Sequence, residues 1–154
     1  MKEFNYNLAY KKLDFTKAIN RSLYRIGRGE QGVLLVRPYT NIICKHWRFK
    51  TPYIALQSAR TIYKLFCNYL TQKDFIGADM CRKFLEMGFT RARRYANHHS
   101  GKKYDVNQNV LPQEKDSETC KYARSADIFL RYRRRAARDV NYIQFRKKWR
   151  DAEI

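Results

Sequence analysis

The densest chemistry in this chain lies between Gly88 and His99, where Arg91, Arg93, Arg94, Tyr95, His98 and His99 follow Thr90 with no acidic residue among them. Thr90 carries the hydroxyl of a helix N-cap and Gly88 is placed to close a preceding helix, so the segment is predicted to open a helix of its own. Such an end bears about half a positive charge from its unpaired N–H groups. Arginines gathered there call for an anion, and phosphate suits their forked donors.

Two further constellations point the same way. Gly27-Arg28-Gly29-Glu30-Gln31-Gly32 sets a guanidinium and a carboxylate on a glycine-rich turn. It lacks the Gly-Lys-Ser/Thr ending of a phosphate-binding P-loop and runs into Val33-Leu34-Leu35-Val36, so it reads as the turn before a strand. In His46-Trp47-Arg48-Phe49-Lys50 a two-residue period puts His46, Arg48 and Lys50 on one face, with Trp47 and Phe49 on the other. A metal-free reaction at a phosphate would join an arginine clamp to an acid and a base; Glu30, His46 and His98 are the catalytic candidates, with Arg28 and Arg48 as the clamp.

Metal-assisted cleavage has less to work with. Asp79 and Glu86 share a helix face but sit about two turns, roughly 10 Å, apart. Cys44, Cys67, Cys81 and Cys120 contain no Cys-x-x-Cys pair. No metal and no cofactor are expected, and the cysteines read as small reduced hydrophobes of a cytoplasmic protein.

The whole chain leans towards polyanions. Lys and Arg number 33 against 14 Asp and Glu, a formal net charge of +19 over 154 residues. That self-repelling excess is what a nucleic acid neutralises. A membrane partner is not expected, because no apolar run approaches about 20 residues and no signal peptide opens the chain. At 44% hydrophobic and 15% aromatic, the chain can bury a core, unlike a disordered basic tail.

These residues need elements to position them. Residues 1–26 read as extended or mixed, and residues 32–49 as a β-hairpin. Thr51-Pro52 starts a helix whose inward stripe is Ala55, Ala59, Ile62, Phe66 and Tyr69. Lys73-Asp74 opens the next, with Phe75, Ala78, Cys81 and either Phe84 or Leu85 inward. A polar linker spans 105–118. Beyond it a helical region from about Thr119 to Trp149 turns Phe129, Tyr132, Ala136, Val140 and Ile143 inward, and Asp139 or Asn141 can begin a second helix there. The expected fold is α+β: a small antiparallel β-hairpin sheet packed on several helices over 1–104, then a basic helical extension over 119–154.

Along that extension Arg124, Arg131, Arg135 and Arg138 fall on one side of an ideal helix, with Arg134 beside them and few acids to offset them. With Arg91, Arg93, Arg94, Lys102 and Lys103 they form a track for a phosphate backbone. Tyr95, Tyr104, Tyr132 and Trp149 interleave with the charge and offer stacking surfaces, which favours RNA or single strands, although DNA and RNA are not distinguished.

The runs Gly27–Leu34, His46–Pro52 and Thr90–His98, in that order, resemble the hallmark segments of a family of uncharacterised proteins of about this length, a domain of unknown function found in bacteria, tailed phages, other viruses and some fungi. The resemblance covers roughly residues 4–104. It implies one intact domain and a virus-encoded or bacterial protein of the cytoplasm, and it brings no activity, fold or catalytic residue with it. Three functions follow from the residues. The leading one is nucleic-acid binding through phosphate contacts. The second is an enzyme on nucleic acid or a phosphorylated substrate, with Arg28, Glu30, His46, Arg48 and His98 in one pocket. The third is an interaction module for an acidic host protein.

Overall fold

Thr51 and Pro52 start the first long helix as their chemistry dictates. The Thr51 hydroxyl accepts from the Ile54 N–H at 3.2 Å, and Pro52 fills the first helical position, where a missing N–H breaks no bond. In the computed structural model, which describes residues 2–153, this helix is α3 (Pro52–Thr71). It follows a 3-10 turn at Tyr10–Lys12 and the short α1 (Ala18–Arg21) and α2 (Tyr39–Cys44), and it precedes α4 (Phe75–Asn97), α5 (Lys121–Arg138) and α6 (Val140–Ala152). Helices α3, α4 and α5 pack on one another pairwise, and α2 and α6 lean on α4.

The predicted stripe of α3 is inward, with Ala55, Ala59, Ile62 and Phe66 fully buried. Asp74 caps α4 by accepting from the Gly77 N–H at 3.2 Å, and every residue from Phe75 to Leu85 is buried. A helix covered on all sides in this way is the axis of the fold. The N-terminal segment supplies part of the cover as a row of rings, Phe4, Tyr10, Phe15 and Tyr24, with successive centroids 5.8, 6.2 and 6.4 Å apart.

The α+β expectation is overturned: the fold is helical, and the described residues contain no strand, only an isolated bridge between Tyr104 and Val110. Val33 to Val36 curl instead of extending. Positive φ at Gly27, Gly29 and Gly32 starts a series of turns in which the N–H groups of Gln31, Val33 and Leu35 reach back three residues. The bonds a partner strand would have made are taken by one side chain, since Thr40 Oγ1 accepts from the Val36 N–H at 3.0 Å and donates to the Val33 carbonyl at 2.9 Å. The second expected strand divides into α2 and an extended piece, 47–49, that is held by α3. Ser58 Oγ accepts from the Arg48 N–H at 3.0 Å and donates to the His46 carbonyl at 2.7 Å.

No helix starts at Thr90. Helix α4 runs unbroken through Gly88 to Asn97, so Arg91, Arg93 and Arg94 lie in its last turns, where the backbone dipole favours cations. The electrostatic demand for an anion at that point therefore disappears. Gly88 serves α5 instead: a Cβ there would overlap the Phe129 ring. In an open helix Gly→Ala gains about 1 kcal/mol. Here Gly88→Ala is expected to lose about 1–3 kcal/mol by overpacking, read as a lower urea midpoint; an unchanged or higher midpoint would mean that α4 and α5 do not approach this closely.

The segment read as a basic extension supplies core residues. Phe129, Ala136 and Tyr142 belong to the same buried core as α3 and α4, and Ala123 and Ala126 are buried as well. Asp139 ends α5 and caps α6, accepting from the Tyr142 N–H at 2.9 Å. The break resets the helical phase. Val140 and Ile143, expected inward, are 66% and 49% exposed, while Tyr142, Phe145 and Trp149 pack inside. Residues 105–118 join α4 to α5 without a helix of their own. No helix of the described residues is long and apolar enough to cross a membrane.

Candidate nucleic-acid interface

The extended piece that Ser58 holds against α3 carries Trp47 and Phe49 towards the C-terminal end of α4. There they meet Tyr95 from α4 and Tyr122 from the first turn of α5. Phe49 lies 5.2 Å from Trp47, 5.6 Å from Tyr95 and 6.4 Å from Tyr122, and Tyr95 lies 5.3 Å from Tyr122, all between ring centroids. Together with Arg48, Lys50 and Ile54 these rings line an open cavity of about 590 Å³, within the size range of small-molecule sites. Two of the three segments that carry the family resemblance thus meet at one wall. Glycine makes the approach possible on one side: Gly101, at φ +76°, lies so close to the Tyr95 ring that a Cβ would crowd it.

The alternation expected at 46–50 holds in part. Trp47 and Phe49 are half-buried and pack on the core, while Arg48 and Lys50 are exposed at the cavity rim. The Arg48 guanidinium donates to the carbonyls of Cys44 and Trp47 at 3.3 and 2.6 Å, which sets its position. His46 is half-buried and lends only its carbonyl to Ser58. His98 is buried at the end of α4, where its carbonyl accepts from the Gly101 N–H at 2.7 Å.

Arg28 and Glu30 lie elsewhere, around a second depression of about 350 Å³ that also includes Arg91. Glu30 accepts from the Thr90 hydroxyl at 2.8 Å, and Arg28 pairs loosely with Glu3 at 3.6 Å. The five residues expected to share one pocket are therefore divided: Arg28 and Glu30 line this depression, Arg48 lines the aromatic cavity, and His46 and His98 line neither. The glycine loop also points its carbonyls inward, at cations of the protein itself. Gly29 accepts from Arg82 of α4, and Gly27 accepts from Arg150 of α6 at 3.1 Å.

Among the remaining basic residues, Arg93 is half-buried and works within the fold, donating to Asn97 at 2.7 Å and to the Ser117 carbonyl at 3.1 Å. Arg135 lies over the Tyr63 and Tyr132 rings at 4.6 and 5.4 Å. Arg91, Arg94, Lys102, Lys103, Arg124, Arg131, Arg134 and Arg138 are exposed and take part in no ion pair among the described residues. Tyr132 packs against Tyr63 and Trp149 against Tyr24 and Phe75, and the exposed Tyr104 is not among the cavity residues, which leaves Tyr95 as the interleaved tyrosine that reaches the cavity.

Two features lie outside the sequence expectations: Tyr122, and the place of Asp79, weighed there only as a metal ligand, at the polar centre of α4. The Asp79 carboxylate, fully buried, accepts from the hydroxyls of Tyr24 and Tyr142, the latter at 2.6 Å, and from Arg82 Nη2 at 2.9 Å. Beside it Lys83 Nζ donates to the Arg25 carbonyl at 3.3 Å and lies 4.7 Å from the Tyr24 ring centre. Burial pushes the Lys83 ammonium down to about 7, against the pull of Asp79. Burial likewise pushes the Tyr142 hydroxyl up to about 12. The Asp-x-x-Arg-Lys spacing on an otherwise apolar helix was the available signal, because polar groups on an inward face need partners.

Comparison with curated proteins and with solved structures returns no match. A family model does match over residues 5–152, and the chain belongs to the family described as Domain of unknown function (DUF4385).

Proposed function

We propose that the protein binds single-stranded nucleic acid, with bases received at the Trp47, Phe49, Tyr95 and Tyr122 cavity and phosphates held by exposed cations. The observation that carries this reading is the convergence of four rings on one open cavity with Arg48 and Lys50 at its rim. Aromatic faces accept any base, and rim cations neutralise the strand as it leaves. Arg94, Lys102 and Lys103, near the same end of α4, and Arg124, Arg131, Arg134 and Arg138 along α5 extend the positive surface. A cytoplasmic setting, the host's if the protein is virus-encoded, goes with this reading and is supported by four unpaired thiols.

Binding of a labelled single-stranded RNA, a single-stranded DNA and a duplex should be measured across a salt series. Affinity for single strands is expected to fall with a logarithmic slope of about 0.7 per phosphate neutralised. Tyr95→Leu and Tyr122→Leu, which keep bulk but remove the stacking face, are expected to weaken single-strand binding by about 1–3 kcal/mol each and to leave duplex binding little changed. A flat salt response sinks the phosphate contacts. Equal losses for duplex and single strand sink the base site. Co-purification of an acidic protein after nuclease treatment, with no affinity for either strand form, would favour the protein-partner reading instead.

A further inference from the structure

We infer that His99, Asp116 and Cys120 form a site for a zinc-like divalent cation. The inference is independent of nucleic-acid binding and reverses the expectation, drawn from cysteine spacing, that no metal is bound. The three residues are separated by a turn-rich loop and follow no familiar ligand spacing. In the fold, one ligand atom from each lies within 4.8 Å of the other two.

The donors are nitrogen, oxygen and sulfur, a set that suits zinc. Bonds of about 2.0–2.3 Å to a tetrahedral ion would place ligand atoms roughly 3.3–3.7 Å apart. Exposed side chains reach that by small rotations, since His99 and Asp116 are about half exposed on their side chains. His99 Nε2 already lies 2.9 Å from Asp116 Oδ1, so this nitrogen faces the shared space. Its other nitrogen, Nδ1, faces Glu114 at 3.8 Å, and the backbone N–H of His99 donates to the same carboxylate at 3.2 Å. A small rotation would let Glu114 accept from Nδ1, and a carboxylate so placed fixes a metal-bound imidazole and raises its basicity.

The backbone holds this arrangement before any ion arrives. The Cys120 N–H donates to the Asp116 carbonyl at 2.9 Å, and the Glu114 N–H donates to the Asn97 carbonyl at 2.8 Å. Local charge also fits, since Glu114 and Asp116 flank the histidine while the nearby Arg93 is paired with Glu118 at 3.4 Å. Three protein ligands leave a fourth position for water. The ion would join the end of α4 to the start of α5, four residues after Tyr95 and two before Tyr122, and so brace the cavity wall.

Titration of the metal-free protein with cobalt(II) tests this. Wild type is expected to bind one equivalent with a thiolate-to-cobalt charge-transfer band, to release it to zinc, and to gain thermal stability with either ion. Cys120→Ser should lose the band while Cys67→Ser keeps it, and Glu114→Gln should weaken binding at least tenfold. If Cys120→Ser does not fold, Asp116→Asn, read for the same stoichiometric binding and thermal shift, carries the test. Absence of a thiolate band in wild type, or its persistence in Cys120→Ser, overturns the site.

Discussion

Replacing Asp79 by alanine is expected to destabilise the protein by about 3–5 kcal/mol, the range seen when one member of a buried ion pair is removed. Asp79 is fully enclosed, and three groups depend on it: Arg82 through Nε and Nη2, and the hydroxyls of Tyr24 and Tyr142. Alanine would leave a buried guanidinium without its counter-charge and two phenols without their acceptor. Against a total stability of about 5–15 kcal/mol, that is a large share. Asp79→Asn keeps the shape and one acceptor oxygen and should fall between wild type and alanine. Urea unfolding reads both, and a loss below about 1 kcal/mol for alanine would show that Arg82 finds water or another partner.

The same carboxylate sets an acid limit. Burial raises its pKa, but Arg82, Lys83 and the two tyrosine hydroxyls together outweigh that and hold it below the ordinary carboxylate range. A lowered folded pKa means that Asp79 contributes its full stability above the ordinary range, and that this contribution is lost as pH falls through the folded value.

Lys83→Met is expected to do the opposite of most core substitutions and stabilise the protein at about pH 6, by roughly 2–4 kcal/mol. The ammonium is almost wholly enclosed, and burial is the largest influence on it, followed by the favourable charge of Asp79 and the unfavourable charges of Arg82, Arg150 and Arg146. The drop from 10.5 to about 7 corresponds to about 1.4 kcal/mol per unit, less what is lost when the Arg25 carbonyl gives up its donor. The rings of Tyr24 and Phe4, 4.7 and 5.4 Å from Nζ, favour the cation but do not replace its hydration. Between about 7 and 10 the unfolded chain holds a proton on Lys83 that the folded chain has released, so wild-type stability rises with pH by up to about 1.4 kcal/mol per unit. The methionine variant should lack this rise. If its stability follows wild type in parallel from pH 7 to about 9.5, Lys83 stays charged in the fold and the assignment fails.

The sequence-readable features of this protein are the local ones. Thr51-Pro52 and Asp74 open helices as read, and of the two caps offered at 139 and 141 Asp139 serves, because a cap needs only its own side chain and an N–H two or three residues on; Thr90 has the same chemistry but lies inside α4. The stripe of α3 was legible for a similar reason, since its period is a property of one helix. The expected hairpin does not form because Val33 to Val36 is short enough to serve a strand or a turn, and Thr40 and Ser58 take up the backbone groups that a sheet would have paired. At Gly88 the residue that explains the glycine is Phe129, forty-one positions away and on another helix.

The candidate site divides along the same line. A strongly cationic chain, the positions of Arg48, Lys50, Arg91 and Arg94, and the presence of aromatics among them are plain in the order of the residues. It takes the folded chain to bring Trp47, Phe49, Tyr95 and Tyr122 to one cavity and Arg28 and Glu30 to another, and to turn Arg82 and Lys83 inward to Asp79 and the Arg25 carbonyl. Charge and helical period are sums over the residues of one segment. Which charges meet solvent, and which rings meet one another, depends on how α4 is enclosed, and that enclosure is a joint outcome of packing every segment of the chain around one helix.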